Sequence, residues 1–242
     1  MMVNKIELLN IQININIPDF NYNKQTIINT INPHSYCISK KDILFNEALH
    51  QSDILIPDGI GIVYAARILK KKIIKRISGS DIHQFLIEKA NKNNLKIFYL
   101  GASQETLEKI EFRIKKEFPS ITVKSYSPPY KEEFSNYENS IMIEEINNFE
   151  PQILFIGMTA PKQEKWVNKN KVKLKNCIIC SIGAVFDFYA GTINRPNKIW
   201  QRLGLEWFMR FIKEPKRLWR RNFISTPCFL WDVIKEKIRN SN

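Results

Sequence analysis

The chain has 242 residues, 44% of them hydrophobic and 25% charged, which is an ordinary balance for a globular protein. No window approaches 18 consecutive apolar residues, so we expect no segment to span a bilayer. The first residues, MMVNKIELLNIQININI, alternate polar and apolar positions as a strand does and lack the continuous apolar core of a signal peptide. We therefore expect a cytoplasmic protein with one large domain, or one domain and an appendage.

The net charge of +13 is unevenly distributed along the chain. Residues 195–242 hold twelve Lys and Arg against four Asp and Glu, a net charge of +8, which leaves +5 for residues 1–194. The same segment contains four of the five tryptophans. This shift in composition predicts a boundary near residue 195, between an α/β domain (1–194) and a basic, aromatic helical appendage (195–242).

Short apolar segments alternate with amphipathic patterns of helical period along the first domain. Strands are predicted at 52–59, 95–103, 121–127, 151–159 and 176–188, and helices at 60–72, 78–94, 105–118 and 139–149. Ser80 is the expected N-cap of the second of these helices. Strands that alternate with helices of this length predict a Rossmann-like fold with a doubly wound, mostly parallel sheet.

Three predicted strands end at a glycine, namely Gly101, Gly157 and Gly183. Ligands of open α/β sheets bind outside the carboxyl ends of the strands, and glycine there allows close approach of the backbone. The three glycines favour a pocket for a nucleotide or a sugar phosphate. Tight strand-to-helix turns without a ligand are the alternative interpretation.

Asp58 follows an apolar strand in IPDGIGIVYAA, where a carboxylate would face a pocket. It is a candidate general base, and the alternative is that it caps a helix beginning at Gly59. The same stretch is close to the dinucleotide motif G-x-G-x-x-G, with Asp81 at the distance of a ribose-binding acid. We disfavour a dinucleotide site, because Asp81 lies at a helix start and Tyr64 would obstruct helix–strand packing.

Polar residues follow two more predicted strands. Thr30 and Asn32 lie on one side of a strand in NTINPHSY, and Gln163 lies at a helix start in GMTAPKQEKW. Such groups suit sugar hydroxyls or an anion, although capping alone explains most of the pattern. The three histidines show no metal-binding spacing, and Cys177 and Cys180 should point to opposite faces of a strand. We predict no metal and no redox site.

The C-terminal stretch GLEWFMRFIKEPKRLWRRNF, residues 204–223, combines aromatic and basic residues. Proline breaks and preceding caps predict short helices at about 200–213, 215–223 and 227–239, the last one capped by Thr226. Aromatic rings favour the membrane interface and basic groups favour an anionic leaflet, so we predict a monotopic anchor. Packing on the α/β core and nucleic-acid binding are the alternatives. We disfavour nucleic acid because no recognised nucleic-acid motif occurs.

Five stretches together resemble the WecG/TagA/CpsF family of bacterial glycosyltransferases, glycosyltransferase family 26. They run in order from about residue 5 to residue 235: NTINPHSY, IPDGIGIVYAARIL, GMTAPKQEKW, GAVFDFYAGTINRP and GLEWFMRFIKEPKRLWRR. The resemblance implies an inverting, metal-independent hexosyltransferase without a cofactor. The implied donor is a UDP-sugar and the implied acceptor is a saccharide on undecaprenyl diphosphate, used for teichoic acid or other cell-surface polysaccharides.

The resemblance also implies roles for individual residues. Asp58 matches the catalytic aspartate, and the substrate-binding positions fall on Thr30, Asn32, Arg76 and Gln163. The arginines that meet the acceptor diphosphate fall on Arg210, Arg217 and Arg220, and we assign Arg221 to the same membrane-facing surface.

The sequence does not name the sugar, since N-acetylmannosamine, its uronic acid and glucose all occur as donors in the family. The expected donor is a UDP-N-acetylhexosamine such as UDP-N-acetylmannosamine. The expected location is the inner face of the plasma membrane, and exposed aromatic residues favour self-association when no membrane is present. A catalytically silent, membrane-attached protein that binds nucleotide sugars is the alternative function.

Overall fold

The computed structural model describes residues 5–193, residue 200 and residues 206–240. Its centre is a six-stranded parallel sheet in the order β4–β3–β8–β7–β5–β6. A separate antiparallel hairpin of two strands precedes this sheet. The hairpin strands are β1 (Lys5–Leu8) and β2 (Ile11–Asn14), and the sheet strands are β3 (Thr26–Ile31), β4 (Ile54–Pro57), β5 (Lys96–Gly101), β6 (Thr122–Tyr126), β7 (Ile153–Gly157) and β8 (Ile178–Ser181).

Eight helices accompany these strands within residues 5–193. They are α1 (Pro33–Ser39), α2 (Ile43–His50), α3 (Ile60–Lys70), α4 (Gly79–Lys92), α5 (Gln104–Glu117), α6 (Asn136–Phe149), α7 (Lys162–Asn170) and α8 (Val185–Ala190). The prediction of an α/β fold with alternating strands and helices is confirmed.

Helices cover both faces of the sheet, as the doubly wound prediction requires. On one face, Ile28 and Ile56 pack with residues of α4, α5 and α8. On the other face, Ile27 packs with α6 and α7, and Leu55 packs with α1, α2 and α3. The strands are therefore apolar on both sides, which explains their nearly continuous runs of isoleucine, leucine and phenylalanine.

The two cysteines of the C-x-x-C pattern lie in separate parts of the core. Cys177 packs on the α6 and α7 side, and Cys180 packs on the α4 and α5 side, as predicted from the strand period. Burial raises the pKa of the Cys177 thiol to about 12, so the thiol stays protonated.

The start of α4 differs from the prediction. Its N-cap is Ser78, whose hydroxyl accepts from the Asp81 N–H while the Asp81 carboxylate accepts from the Ser78 N–H. Ser80 lies inside the helix, so its assignment as the cap was wrong. The reciprocal capping box favours Ser78, since only a residue three positions before an acid can form it.

The order of the strands creates a switch point between β3 and β8. From β3 the chain passes to β4 on one side, and it returns through β7 to β8 on the other side. The carboxyl edge at such a reversal is the usual location of a ligand crevice in open α/β sheets.

Within residues 206–240 the C-terminal segment forms the helices α9 (Glu206–Lys213), α10 (Pro215–Arg220) and α11 (Thr226–Arg239). The predicted break at Pro215 is present. The break predicted at Thr226 was wrong, because a π-helical turn over Arg221–Ser225 connects α10 to α11. Thr226 has helical φ and ψ, and its N–H bonds the carbonyl of Arg221 five residues earlier. The predicted boundary at residue 195 lies outside the described residues.

The last helix is part of the hydrophobic core. Phe229 and Val233 of α11 are 2% and 1% exposed and pack with residues of α1 and α3. The Tyr36 hydroxyl donates to the Asp232 carboxylate at 3.1 Å, and Lys40 pairs with the same carboxylate at 2.6 Å. The alternative that part of the segment packs on the α/β core is confirmed for this helix. Within residues 5–193 and 206–240, no helix combines the length and apolar character needed to cross a bilayer.

Candidate functional site at the carboxyl edge of the sheet

Asp58 lies directly after β4, at the carboxyl edge. Its backbone N–H donates to the carbonyl of Ile31 at 2.8 Å, which ties it to the end of β3. The N–H of Ile77 donates to the carbonyl of Pro57 at 3.0 Å, so the neighbouring Arg76 lies beside the same turn. Asp58 and Arg76 are both half-buried. The fold thus brings together a carboxylate and a guanidinium that are 18 positions apart in the sequence.

The N-cap position of α3 belongs to Gly59 and not to Asp58. Gly59 has φ of +93°, a conformation that glycine adopts without strain. A Cβ at Gly59 would lie 3.8 Å from Cβ of Asn32, so the turn after β4 packs against the turn after β3. The interpretation of Asp58 as the N-cap was wrong, and its role as a base stays a prediction.

Thr30 and Asn32 lie at the end of the neighbouring strand. Thr30 is the penultimate residue of β3, opposite Ile56 of β4, and is half-exposed. Asn32 is the N-cap of α1, where its Oδ1 accepts from the N–H groups of His34 and Ser35, both at 3.0 Å. Capping therefore occupies the Asn32 carbonyl oxygen, as the alternative interpretation proposed. Substrate contacts by either residue stay predictions.

Gln163 connects the turns after β7 and β8. Its Oε1 accepts from the Gly183 N–H at 3.1 Å, and its Nε2 donates to Glu164 Oε1 at 2.9 Å. Gln163 is only 4% exposed, and Gly183 has φ of +52°. Gln163 therefore fixes the turn at Gly183 by a hydrogen bond, and its contact with a substrate stays a prediction.

Protein contacts account for the glycines at the ends of β5 and β7. A Cβ on Gly157 would lie 2.4 Å from Cδ2 of the buried Phe186, and a Cβ on Gly101 would lie 2.6 Å from the carbonyl oxygen of Gly157. Both positions exclude any side chain, so glycine is required there by contacts within the protein, without a ligand. Their contribution to a ligand pocket stays a prediction.

The C-terminal segment reaches this edge through α1 and α3. His34 Nδ1 lies 2.9 Å from Ser225 Oγ. Ser225 belongs to the π-helical turn that begins at Arg221, and burial, and then the positive charge of Arg221, lowers the pKa of His34. A Cβ on Gly61 would lie 3.7 Å from the Phe229 ring, next to the Asp58 turn. At least one predicted arginine is therefore a neighbour of the β3–α1 turn.

The other predicted arginines are described only in part. Arg220 is exposed at the end of α10. Arg210 and Arg217 belong to α9 and α10, but their side chains lie outside the described part of the structure.

A model of a known protein family matches nearly the whole chain, including the elements that form this site. The model of the WecG/TagA/CpsF glycosyl transferase family matches residues 13–242, which include the Asp58 turn, the Gln163 helix and the basic C-terminal segment. The chain belongs to the WecG/TagA/CpsF glycosyltransferase family. It is therefore a glycosyltransferase of the hexosyltransferase type, as the resemblance implied.

Three bacterial proteins with named activities are similar to this chain over most of their length. A protein of Bacillus subtilis strain 168 is 30% identical over 211 residues, which cover 87% of this chain and 80% of that protein. A protein of Staphylococcus aureus strain MW2 is 27% identical over 225 residues, covering 92% and 86%. A protein of Bacillus spizizenii strain W23 is 27% identical over 215 residues, covering 89% and 81%. Each is named an N-acetylglucosaminyldiphosphoundecaprenol N-acetyl-beta-D-mannosaminyltransferase.

Of the two arguments against a dinucleotide site in this WecG/TagA/CpsF glycosyltransferase, the one from Asp81 is confirmed and the one from Tyr64 is not. Asp81 is used in the capping box of α4, as its position at a helix start suggested. Tyr64 is 52% exposed on α3, so our expectation that it would obstruct packing was wrong. Among the residues that the structure describes, no three His, Cys, Asp or Glu side chains form a group that would hold a metal ion.

Glu164 is a member of the site that the sequence analysis missed. It is 2% exposed, and burial raises the pKa of its carboxyl to about 7. The sequence shows only an acid in the first turn of a helix, a position at which acids are common on the surface. Its position directly after Gln163 was the available signal, but the burial comes from the packing of α7 on the sheet.

Proposed function

We propose that this glycosyltransferase transfers N-acetylmannosamine from a UDP-linked donor to the N-acetylglucosamine of an undecaprenyl-diphosphate-linked acceptor. The product would serve teichoic acid or related cell-envelope synthesis. The names of the relatives in Bacillus and Staphylococcus support both substrates, and the alignments cover at least 80% of each relative.

The observation that carries the proposal is the position of Asp58. Its backbone bond to Ile31 and the bond of Ile77 to Pro57 gather Asp58, Arg76 and the end of β3 at the carboxyl edge, next to the switch point between β3 and β8. An open α/β sheet binds its ligand at this place. A carboxylate and a guanidinium there supply a proton acceptor and a partner for phosphate oxygens.

The chemistry assigns one role to each group. Asp58 takes the proton from the acceptor hydroxyl as that oxygen attacks the anomeric carbon of the donor. The bond to the UDP oxygen breaks on the opposite face, so the configuration at the anomeric carbon is inverted. The departing UDP gains negative charge, which Arg76 and backbone N–H donors at the edge stabilise without a metal ion. We assign Arg221, which lies in the same turn as the Ser225 that contacts His34, to the diphosphate of the acceptor.

The substrate assignment is tested with the full-length protein, a soluble lipid-linked N-acetylglucosamine diphosphate and a panel of UDP-sugars. Mass spectrometry should show addition of one N-acetylhexosamine with UDP-N-acetylmannosamine, and the yield should be unchanged in EDTA. Transfer from another donor alone would replace the sugar assignment. Binding of UDP-sugars without any transfer would favour the catalytically silent alternative. Loss of activity in EDTA, restored by a divalent cation, would refute the metal-independent mechanism.

Exposed aromatic residues of the C-terminal segment support the further proposal of a membrane-associated surface. Trp219 and Phe223 are 53% and 50% exposed, and their rings stack with centroids 4.8 Å apart. Arg220 is exposed beside them. Two exposed rings next to a cation match the interfacial pattern that binds anionic leaflets.

We predict that the double substitution Trp219→Ala and Phe223→Ala weakens binding to vesicles of anionic phosphatidylglycerol by about tenfold or more, since each ring buries substantial apolar area at the interface. Co-sedimentation with vesicles measures the effect. Phe112→Ala is the matched control, because Phe112 is 71% exposed on α5, and α5 packs on the face of the sheet opposite the cluster that holds α11. Equal binding by the double variant and the control would reject this surface as the anchor.

A further inference from the structure

A group of buried polar side chains lies beneath the carboxyl edge, between the sheet and α7. Asn29, Glu164 and Ser181 are 1%, 2% and 0% exposed. Within the described part of the chain, Asn29 Oδ1, Glu164 Oε2 and Ser181 Oγ have no hydrogen-bond partner. Buried polar atoms normally find partners, so three of them in one region need an explanation.

Side-chain alternation along the strands puts Asn29 and Ser181 on the face of the sheet that α7 covers, and Glu164 lies on α7 itself. Ile28 of β3 lies opposite Cys180 of β8, so the following residues, Asn29 and Ser181, are also neighbours across these two strands. They point to the same face as Ile27 and Ile179, which pack with Trp166 and Val167 of α7. Glu164 lies one turn before Val167 on that helix.

Glu164 is also bonded to the residue that holds the edge of the site. Its Oε1 accepts from Gln163 Nε2 at 2.9 Å, and Gln163 Oε1 accepts from the Gly183 N–H at 3.1 Å. Because the carboxyl oxygen of Glu164 accepts this bond, the side-chain amide of Gln163 must turn its NH₂ group toward Glu164. Its carbonyl oxygen then faces the Gly183 N–H. Oε1 can accept this bond in both protonation states, provided that the proton of the acid form lies on Oε2.

We propose that Glu164 is a positioning residue for the donor side of the site, acting through Gln163 and Gly183. Its second oxygen, Oε2, belongs with Asn29 and Ser181 to the group of buried polar side chains between α7 and the sheet. This inference rests on the proposed function, and within it we assign Gln163, one of the substrate-binding positions, to the UDP-sugar donor. Burial raises the pKa of Glu164 to about 7, so near neutral pH the carboxyl is partly protonated.

The test compares Glu164→Met with Glu164→Gln in steady-state transfer assays, with donor and acceptor varied separately. Glu164→Met keeps the volume but removes the acceptor for Gln163 Nε2, so we expect the KM for UDP-sugar to rise about tenfold. The kcat and the acceptor KM should stay within about twofold of wild type, because neither depends on the Gln163 amide in this proposal. Glu164→Gln keeps an acceptor oxygen and should restore the donor KM.

Asn170→Ala is the control for a purely structural effect. Asn170 is 2% exposed, lies at the far end of α7 and donates to the Trp166 carbonyl at 2.9 Å. We expect this variant to lose stability without a change in donor KM. If Glu164→Met does not fold, Glu164→Asp decides, because it withdraws the carboxyl from Gln163 without burying a new apolar group; its donor KM must then rise as well.

The inference is overturned if Glu164→Met, or Glu164→Asp in its place, folds and keeps the wild-type donor KM. It is also overturned if Glu164→Gln raises the donor KM as much as Glu164→Met does. A wild-type protein that transfers no sugar from any UDP donor would instead refute the proposed function, so the two failures are distinguishable in the same assay.

Discussion

Asp58→Asn should lower the kcat of sugar transfer by at least about a hundredfold while the protein stays folded. General-base catalysis contributes on the order of a hundredfold or more, and asparagine cannot take the proton of the acceptor hydroxyl. The substitution keeps the size of the side chain, and the backbone N–H at position 58 still donates to Ile31. Steady-state transfer measures the loss, and titration with UDP shows whether the nucleotide still binds.

Asp53→Asn provides the matched control for this prediction. Asp53 immediately precedes β4, at the opposite end of the strand, and its Oδ2 accepts from the Ile27 N–H at 2.8 Å. The control should lose some stability and little activity, because it lies at the amino end of the sheet. Asp58→Asn with turnover within about twofold of wild type would remove Asp58 as the base.

Phe229→Ala should lower the free energy of unfolding by about 3 to 5 kcal/mol, the usual cost of deleting a buried aromatic ring. Phe229 is 2% exposed, and its ring contacts Tyr36 edge-on with centroids 5.3 Å apart. It lies in α11, yet it completes the apolar cluster formed by α1 and α3. Denaturant unfolding measures the change.

Trp231→Ala is the comparison within the same helix. Trp231 is 57% exposed, so its removal should cost less than about 1 kcal/mol, as for most surface substitutions. Similar small losses in both variants would show that α11 is not part of the folded core in solution. The result also bears on experimental design, because a chain ending near residue 194 would lack Phe229 and Val233 and would uncover their cluster. Point substitutions in the exposed aromatic residues are therefore the better test of membrane binding.

The sequence predicted the kinds of elements well, since apolar runs and helical periods depend on local composition. The strands ending at Gly101 and Gly157 and the helix after Asp58 are present where the pattern indicated them. The order of the strands depends on tertiary packing, and no local pattern specifies it. The prediction of the α4 N-cap was wrong for a related reason. Ser78 and Ser80 are equally good caps in isolation, and the choice between them follows from the partner Asp81.

The candidate site was predictable where its residues lie at strand ends. Asp58, Thr30 and Asn32 all come from one rule about the carboxyl ends of parallel strands. Glu164 was missed because its significance comes from burial, and an amphipathic helix does not show in advance which of its acids will face the sheet. The continuity of α10 and α11 was missed because Pro227 normally indicates a helix start. In the π-helical turn the N–H of Thr226 reaches back to Arg221.

The N-terminal hairpin has a consequence for self-association. Asn14 Oδ1 accepts the Leu55 N–H at 3.0 Å on the outer side of β4, and Pro57 has no N–H to offer. A second molecule therefore cannot pair with the Leu55 and Pro57 positions of β4, whereas β6 is the opposite border of the described six-stranded sheet. Strand addition to this sheet would thus be favoured at β6, and pairing of β6 with β6 around a twofold axis closes as a dimer and does not propagate into a fibre.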